Sequence, residues 1–366
     1  MKKTDTEDRA GKMKSFLMGA RIAAMVSLGV RLRLYDAMKG AGPLTSADLA
    51  SDTGYHERWV LEWLRGQAAS GIVQYQSGGR FELPPEVGRL LADKDDLDYL
   101  GNAFESIPHT FATVERMPEI FRTGLGLSWD DRGAWAAERT EKTFRNWYRQ
   151  VLVPKALPQL DGLVPRLTSG ARVADVGCGA GLALIEMAKA FPLSEFHGYE
   201  TSEQALRRAK TNREDAGTTN VSFHNVAEEP IPADASFDLI CTLDCLHDMP
   251  RPDDAASAIR RAIKPDGIWL IADVNCAATF EENLVNPIAP MLYSASVFSC
   301  LSSGLSEPDG AGLGTMGLPE PKMKQLSARA SRAFAAWTCQ ARSTRTMRRE
   351  YRRGRLLLLQ LVQPLP

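Results

Sequence analysis

The second half of the chain alternates short apolar runs with amphipathic segments. Between residues 171 and 274 the apolar runs have the length of buried strands, and the segments between them carry apolar positions three and four residues apart. The runs that predict strands are ARVADV, EFHGYE, VSFHNV, FDLICTL and GIWLIADV, and those that predict helices are LALIEMAKAF, SEQALRRAKTNREDAG and AASAIRRAI. This alternation predicts an α/β fold, with a parallel sheet covered by helices on both faces.

A different pattern precedes it, in which helical segments lead into a short hairpin. In LTSADLASDTG, Thr45 or Ser46 is a candidate N-cap and Gly54 a candidate stop. HERWVLEWLRGQAASG then carries a second apolar helical face, and IVQYQSGGRFEL predicts two strands around a Ser-Gly-Gly turn. A helix–turn–helix unit followed by a hairpin predicts a mostly helical winged-helix domain.

These patterns divide the chain into four parts after a charged start, residues 1–14, that is expected to fray. They are a winged-helix domain at 15–100, an aromatic-rich helical connector at 101–165, an α/β domain at 166–325 and an atypical basic tail at 326–366.

The basic tail is unusual in charge. From residue 328 to the end, nine Arg and one Glu give +8, so the remainder of a chain with net charge −1 carries −9. The tail shows no alternating strand pair. Two interpretations stay open: a frameshifted or diverged segment foreign to the fold, or a genuine basic tail that contacts nucleic acid or membrane.

Composition narrows the class of protein. Hydrophobic residues make up 44% and charged residues 24% of the 366, which is ordinary for a globular protein. No apolar run reaches the roughly 18 residues that cross a bilayer, and the start lacks the apolar segment of a secretory signal. The six cysteines are scattered without a CxxC pair, which indicates free thiols and no metal site. We expect a cytoplasmic protein without a membrane partner.

The strongest chemical signal is a glycine-rich turn between the first strand and first helix of the α/β domain. Asp175 is followed by Gly177, Gly179 and Gly181, which let the backbone approach a ligand at the carboxyl end of the strand. A nicotinamide-binding turn would have GxGxxG, but Leu follows Gly181 here. An acid two residues before the first glycine suits a cationic amino group rather than a pyrophosphate.

This DxGxGxG spacing resembles the first motif of class I S-adenosylmethionine-dependent methyltransferases. The resemblance implies a Rossmann-like domain that binds S-adenosyl-L-methionine, with Glu200 on the ribose hydroxyls and Glu228 near the adenine. The family usually has an Asp-Ala pair at the adenine, so an exposed loop glutamate is the alternative for Glu228. The residues assigned to the cofactor are Asp175, Gly177, Cys178, Gly179, Gly181, Glu200, Ala227, Glu228 and Asp244.

The segment LDCLHDM after the fourth strand resembles the LHD segment of winged-helix O-methyltransferases, in which the histidine is the general base for a hydroxyl acceptor. The resemblance implies that His247 is that base, with Asp244 or Asp248 orienting its ring, and that a small molecule is methylated at oxygen. A helix-capping or supporting histidine is the alternative. It also implies that Tyr293 and Cys300, with the connector, line the acceptor pocket.

The same resemblance implies that the winged helix dimerises and closes the acceptor pocket. Residues 1–100 hold fourteen Lys or Arg and fourteen Asp or Glu, so no basic face for nucleic acid is expected. Trp59 and Trp63 stand where a base-reading helix would have Arg, Asn or Gln. With residues 22–34 they predict a homodimer interface. A DNA-binding regulator and an inactive methyltransferase fold remain as alternatives.

Overall fold

The computed structural model describes residues 3–328 and 356–361. The chain separates into two compact units, residues 1–115 and 116–366. The segment 101–165, predicted as a connector, is shared between them, since its residues up to 115 belong to the first unit and the rest to the second.

The first unit is a helical domain with a two-stranded antiparallel hairpin. The order α3, α4, β1, β2 is the predicted helix–turn–helix followed by a hairpin. Helices α1 to α6 are Lys3–Arg31, Leu34–Met38, Ser46–Thr53, Glu57–Ala69, Pro85–Ala92 and Gly101–Thr113, and strands β1 and β2 are Gln74–Gln76 and Arg80–Glu82.

The predicted helix signals at α3 are confirmed in detail. Thr45 is the N-cap: its Oγ1 accepts from the backbone N of Asp48 at 3.2 Å, and the Asp48 carboxylate accepts from the backbone N of Thr45 at 2.8 Å. This reciprocal capping box satisfies two donors that the helix start would leave unpaired. Gly54 ends the helix with a φ of 74°.

The core of the first unit is built around Tyr35 and Trp63. Their rings meet edge to face at 5.2 Å, the Tyr35 hydroxyl donates to Gln67 Oε1 at 2.5 Å, and Trp63 Nε1 donates to the Met25 carbonyl at 3.1 Å. The prediction that Trp63 lies in an interface is therefore wrong, because the buried face of α4 includes it. Trp59 lies outside that face and is 78% exposed.

Helix α1 begins at Lys3, so the expected fraying of residues 1–14 is corrected for the described part of that segment. Its last turn is anchored by Arg31, which donates to the Glu105 carbonyl in α6 at 3.3 Å. The window Asp8–Arg31 also has the length and apolar composition of a membrane-crossing helix, with 22% of it buried inside the protein. The sequence analysis missed this window because polar residues interrupt its apolar run.

The second unit is an α/β domain, as predicted. A π-helical segment, Tyr148–Ala156, continues α8, and 3-10 turns occupy Asp130–Arg132, Leu157–Gln159 and Leu246–Asp248. Helices α7 to α16 are Met117–Thr123, Ala134–Trp147, Leu163–Ser169, Leu182–Ala190, Glu203–Ala216, Pro252–Ala262, Phe280–Asn283, Ala289–Phe298, Cys300–Gly304 and Glu320–Ala328; strands β3 to β8 are Arg172–Val176, Glu195–Glu200, Val221–Asn225, Phe237–Leu243, Ile263–Val274 and Leu356–Leu361.

The six strands form one sheet in the order β5-β4-β3-β6-β7-β8, and every neighbouring pair is parallel. The strand order changes direction at β3: β4 and β5 lie on one side of β3, and β6, β7 and β8 lie on the other. In such sheets ligands bind outside the carboxyl ends of the strands at this point. Asp175 lies there, in register with Gly198 of β4 and Cys241 of β6.

Strand β8 lies within the tail, where no strand was expected. Residues Leu356–Leu361 pair in parallel with β7, Trp269 opposite Leu356 and Val274 opposite Leu361. The run LLLLQL is apolar except for Gln360 and does not alternate, which is the pattern of a strand in a parallel sheet. The tail segment 329–355 holds all nine arginines of the tail and lies outside the described residues. Whether this segment is foreign to the fold or a genuine basic tail stays open.

Two apolar layers hold the sheet. Strand β6 is buried along its whole length, and its side chains alternate between the layers. Leu239 and Cys241 face the layer formed with α10 and the π-helical segment, whereas Ile240 faces the layer formed with α12 and α16. Burial of each such leucine or isoleucine stabilises the fold by about 1.5–3 kcal/mol. These layers fix the strand ends that carry the site.

Candidate functional site at the carboxyl ends of the central strands

The glycine turn after β3 combines close packing with open space. A Cβ at Gly181, whose φ is 76°, would lie 2.3 Å from the Phe223 ring, so glycine is required for packing there. A Cβ at Gly179 would meet no atom within 4 Å. The turn is held from behind by Asn212, which donates to the Ala180 carbonyl at 3.0 Å. The turn thus presents open backbone at Gly179, where a ligand can approach.

Asp175 lies behind this turn with its charge unsatisfied. The residue is 2% exposed, and its Oδ1 has no hydrogen-bond partner in the described part of the chain. Burial, with a smaller contribution from Glu200, raises the pKa of Asp175 to about 8. A buried acceptor of this kind calls for a cationic donor. The ammonium group of S-adenosylmethionine fits this requirement.

Glu200 ends β4 and closes over the glycine turn. Its Oε2 accepts from the backbone N of Gly179 at 2.8 Å, and its Oε1 accepts from the backbone N of Thr201 at 2.8 Å and of Ser202 at 3.0 Å. A carboxylate offers about four lone-pair positions. A contact with both hydroxyls of a ribose therefore has to replace one of these backbone bonds.

The predicted adenine residues lie at the turn after β5. Ala227 and Glu228 are both exposed, and the turn is closed by Asn225, whose Oδ1 accepts from the Ala227 backbone N at 3.0 Å. The carboxyl ends of β4 and β5 are neighbours, with Glu200 opposite Asn225. Their role in adenine binding stays a prediction.

His247 lies in the 3-10 turn after β6 and is 2% exposed. Its Nδ1 is 2.6 Å from Oδ1 of Asp273, which is 1% exposed at the end of β7. Asp244 or Asp248 was predicted as the partner of the ring, but Asp273 lies there instead. This residue was missed because it is distant in sequence, although the ADV that ends the next strand was the available signal.

The His247–Asp273 contact sets the charge of the ring. Burial by itself lowers the pKa of His247, but the Asp273 charge, Cys300 and the hydrogen bonds to both raise it well above its ordinary value. Because Nδ1 is taken by Asp273, a ligand that exchanges a proton with the ring at Nε2 does so beside the Cys300 thiol. The ring is thus oriented and holds a proton readily.

Half-buried Asp244 and buried Asp248 complete the group of acids. Asp244 has a φ of 59° and a buried Oδ1 without a hydrogen-bond partner in the described residues. Such left-handed backbone is costly for a residue other than glycine and clusters at functional sites. Burial is the main cause that raises the pKa of Asp244 to about 7 and that of Asp248 to about 6.

The two predicted pocket residues differ in their relation to this group. Atoms of His247, Asp248 and Cys300 lie within 4.8 Å of one another, so Cys300 belongs to the site. Tyr293 packs its ring edge to face on Phe280 at 5.7 Å, and its place in the acceptor pocket stays a prediction. The ring nitrogen of His247, the carboxylate oxygen of Asp248 and the sulfur of Cys300 are atoms of the kinds that bind metal ions.

The connector adds three residues that the sequence analysis did not single out. Tyr148 lies close enough to Asp175 and Asp244 that their charges, after burial, raise its pKa well above the ordinary value. Arg132 and Arg139 lie near Asp248 and Cys300. Two guanidinium groups beside the metal-ligating atoms disfavour a divalent cation at that point.

Matches to known families agree with this architecture. Residues 167–298 match a methyltransferase domain, and residues 20–92 match an Rv2258c-like winged HTH domain. The chain thus carries a methyltransferase domain behind an N-terminal winged helix.

Individual relatives support the same fold. A ubiquinone biosynthesis O-methyltransferase of Paracidovorax citrulli is 31% identical over 124 residues, which are 33% of this chain and 50% of that protein. The chain thus spans about half the length of the curated relatives it matches.

Two solved structures resemble the chain over most of its length. An O-methyltransferase family protein from Burkholderia thailandensis aligns with a TM-score of 0.60 at 17% identity, over 90% of this chain and 92% of that one. Human N-acetylserotonin methyltransferase, solved in complex with S-adenosylmethionine, aligns with a TM-score of 0.59 at 16% identity, over 88% and 91%. At these identities the likeness shows the fold.

The buried charge of Asp175 predicts a pH dependence of stability. Its folded pKa, about 8, lies above the ordinary value of 3.8, so the folded state holds a proton that the unfolded state loses. Asp175 therefore lowers stability as pH rises between these two values. Asp175→Asn should raise the melting temperature of the ligand-free protein more at about pH 8 than at about pH 5. The exposed Asp52→Asn serves as control, and an equal effect of Asp175→Asn at both pH values would contradict the assignment.

Proposed function

We propose that the protein transfers the methyl group of S-adenosyl-L-methionine to a hydroxyl oxygen of a small molecule. The observation that carries the proposal is the buried His247–Asp273 pair, 2.6 Å apart, beside the crevice formed by Asp175 and Glu200. A base oriented in this way, next to a nucleoside-binding strand end, suits proton removal during transfer to oxygen.

In the proposal, the cofactor lies along the carboxyl ends of β3, β4 and β5. Asp175 holds the ammonium group. Gly179 leaves room for the cofactor to approach the backbone, and Glu200 accepts hydrogen bonds from the ribose hydroxyls. Ala227 and Glu228 lie beside the adenine. The unsatisfied Oδ1 of Asp175 and the open space over Gly179 support this placement.

The protein holds the acceptor oxygen close to the methyl carbon and in line with the methyl–sulfur bond. The oxygen–methyl bond forms as the methyl–sulfur bond breaks, and the electron pair of that bond stays on sulfur. The products are a methyl ether and S-adenosylhomocysteine. The hydroxyl proton passes to Nε2 of His247, and Asp273 stabilises the resulting imidazolium. His247 must therefore be neutral before each turnover.

A DNA-binding function is not favoured by the winged helix. On the exposed side of α4, Arg58 donates to Glu62 at 2.7 Å, and Arg65 lies 3.9 Å from the same carboxylate. These arginines are paired with an acid, so they add little attraction for phosphates. An inactive methyltransferase fold is not favoured either, because the His247–Asp273 pair is intact.

The ribose contact can be tested by calorimetry. Glu200→Ala should weaken S-adenosylmethionine binding roughly ten- to a hundredfold, because a charge-assisted hydrogen bond contributes about 1.5–3 kcal/mol. Glu195→Ala, at the opposite end of the same strand, is the matched control and should bind as the wild type does. Unchanged affinity of the Glu200 variant would remove Glu200 from the cofactor site.

The base can be tested by pH profiles once an acceptor is known. His247→Ala should lower turnover at least about a hundredfold with little change in cofactor affinity. In the wild type, turnover should rise with pH above the ordinary histidine pKa of about 6.5, because the raised pKa keeps the ring protonated below it. Asp273→Asn should shift this rise to lower pH, since it removes the charge that holds the proton.

His56→Ala removes a histidine of the first unit and should leave the profile unchanged. A loss of less than about fivefold in His247→Ala would place the base elsewhere or indicate an acceptor that needs none.

We also propose that the first unit mediates a homodimer. Met13, Phe16, Leu17 and Met18 of α1 are 58–61% exposed, and Trp59 of α4 is 78% exposed. Large side chains exposed on one helix are typical of an interface. A second copy is the occupant in this proposal, because closed two-fold pairs are the commonest assemblies of soluble proteins.

Light scattering at micromolar concentration should report a dimer. Phe16→Asp with Leu17→Asp should convert it to a monomer without change in cofactor affinity. A wild-type monomer in detergent-free buffer would contradict the dimer, and binding to lipid vesicles would instead point to the apolar window of α1.

A cytoplasmic location completes the proposal. The cysteines of the described residues are free thiols: Cys178, Cys241, Cys245, Cys276 and Cys300. Such thiols are typical of proteins kept in a reducing compartment.

A further inference from the structure

The connector brings two guanidinium groups to the His247 group, and one of them donates to the protein through both of its Nη atoms, although its Nε has no partner in the described residues. Arg132 Nη2 donates to the Ser299 carbonyl at 2.6 Å and to the Leu127 carbonyl at 3.1 Å, and Nη1 donates to Ser299 Oγ at 3.2 Å. Its guanidinium also lies over the Trp129 ring at 4.8 Å. Arg132 therefore fastens the connector to the start of α15 and has a structural role.

Arg139 shares this unpartnered Nε with Arg132 but lacks the Nη hydrogen bonds that tie Arg132 to described residues. It lies in the middle of α8, is half-buried, and its Nε is screened from solvent without a hydrogen-bond partner in the described part of the chain. The charged groups that act on it are Cys300, Asp244 and Asp248, which are the surroundings of His247. Burial lowers the pKa of Arg139, as expected for a cation that has lost water without gaining a full set of acceptors.

The position of Arg139 is fixed by its own helix. One helical half-turn further on, buried Glu141 accepts from Arg208 Nε at 2.6 Å and from Asn212 Nδ2 at 3.1 Å, both on α11. Helix α8 is thereby tied to the helix that supports the glycine turn. Arg139 is therefore carried by a rigid element, not by a loop.

The acids around Arg139 do not neutralise it in full. Asp273 contacts His247 Nδ1 and the backbone N of Val274 through Oδ1, at 2.6 and 2.7 Å, whereas its Oδ2 has no partner in the described residues. Asp244 and Asp248 have pKa values raised to about 7 and about 6, so near neutral pH each is protonated part of the time. A desolvated guanidinium in this position retains the capacity for two parallel hydrogen bonds to a planar anion.

We propose that the acceptor carries a carboxylate, which Arg139 binds while His247 takes the proton from a neighbouring hydroxyl. The substrate class is that of small hydroxy acids, with the hydroxyl and the carboxylate on one rigid frame. This inference rests on the proposed function, because it assigns the second recognition point of the same site.

The test uses matched acids and amides as probes. The 2-, 3- and 4-hydroxybenzoates and the corresponding hydroxybenzamides are titrated into the full-length protein saturated with S-adenosylhomocysteine. At least one hydroxybenzoate should bind at least about tenfold more tightly than its amide, since only the acid can form charge-assisted bonds with Arg139.

Variants assign the preference to one residue. Arg139→Gln should abolish the preference for the acid while keeping S-adenosylhomocysteine affinity, and Arg139→Lys should keep part of it because the charge remains. Arg122→Gln, which removes an exposed arginine paired with Glu119, is the control and should behave as the wild type.

The outcomes separate the two proposals. Equal binding of acids and amides, no binding of either by the wild type, or a preference that survives in Arg139→Gln would overturn the hydroxy-acid inference and leave cofactor binding standing. Failure of the wild type to bind S-adenosylhomocysteine at all would overturn the proposed function, and this inference with it.

Discussion

The buried contact between His247 and Asp273 depends on the parallel pairing of β6 with β7, and most of the site depends on that contact. Each residue lies at the carboxyl end of its strand, and the register that sets Leu243 opposite Ala272 brings the two ends together. The pair is almost fully buried, so its attraction is screened little by water. The contact fixes the orientation of the ring, with Nδ1 facing Asp273 and Nε2 as the nitrogen for an acceptor.

The other strand ends concentrate acids in the same crevice. Asp175, Asp244 and Asp248 all have pKa values raised mainly by burial, which means that the ligand-free site holds more carboxylate than it can stabilise. A ligand with a sulfonium and an ammonium group supplies the missing positive charge. In our account the positive charge of the cofactor replaces the water that these buried carboxyls have lost, and its arrival also lowers the proton affinity of His247.

The predictable part of the molecule was encoded by local pattern. The glycine turn, the capping box at Thr45 and the five strands from residue 171 to 274 follow from short-range spacing, and the structure has each of them. Local pattern could not identify Asp273 and Arg139, because their roles depend on neighbours that are distant in sequence. Trp63 was assigned to a surface because helix spacing alone does not say which neighbour covers a ring. Strand β8 was missed because its apolar run lacks the alternation that was sought.

The central claim is methyl transfer to a small hydroxylic acceptor. Its most direct test is to incubate the protein with methyl-labelled S-adenosylmethionine and a metabolite extract, then follow the label by mass spectrometry. The account predicts a labelled methyl ether of a hydroxy acid and an equal amount of S-adenosylhomocysteine, both absent with His247→Ala. Cofactor binding without any labelled small molecule, or label that appears on nitrogen or carbon with His247→Ala as active as the wild type, would contradict it.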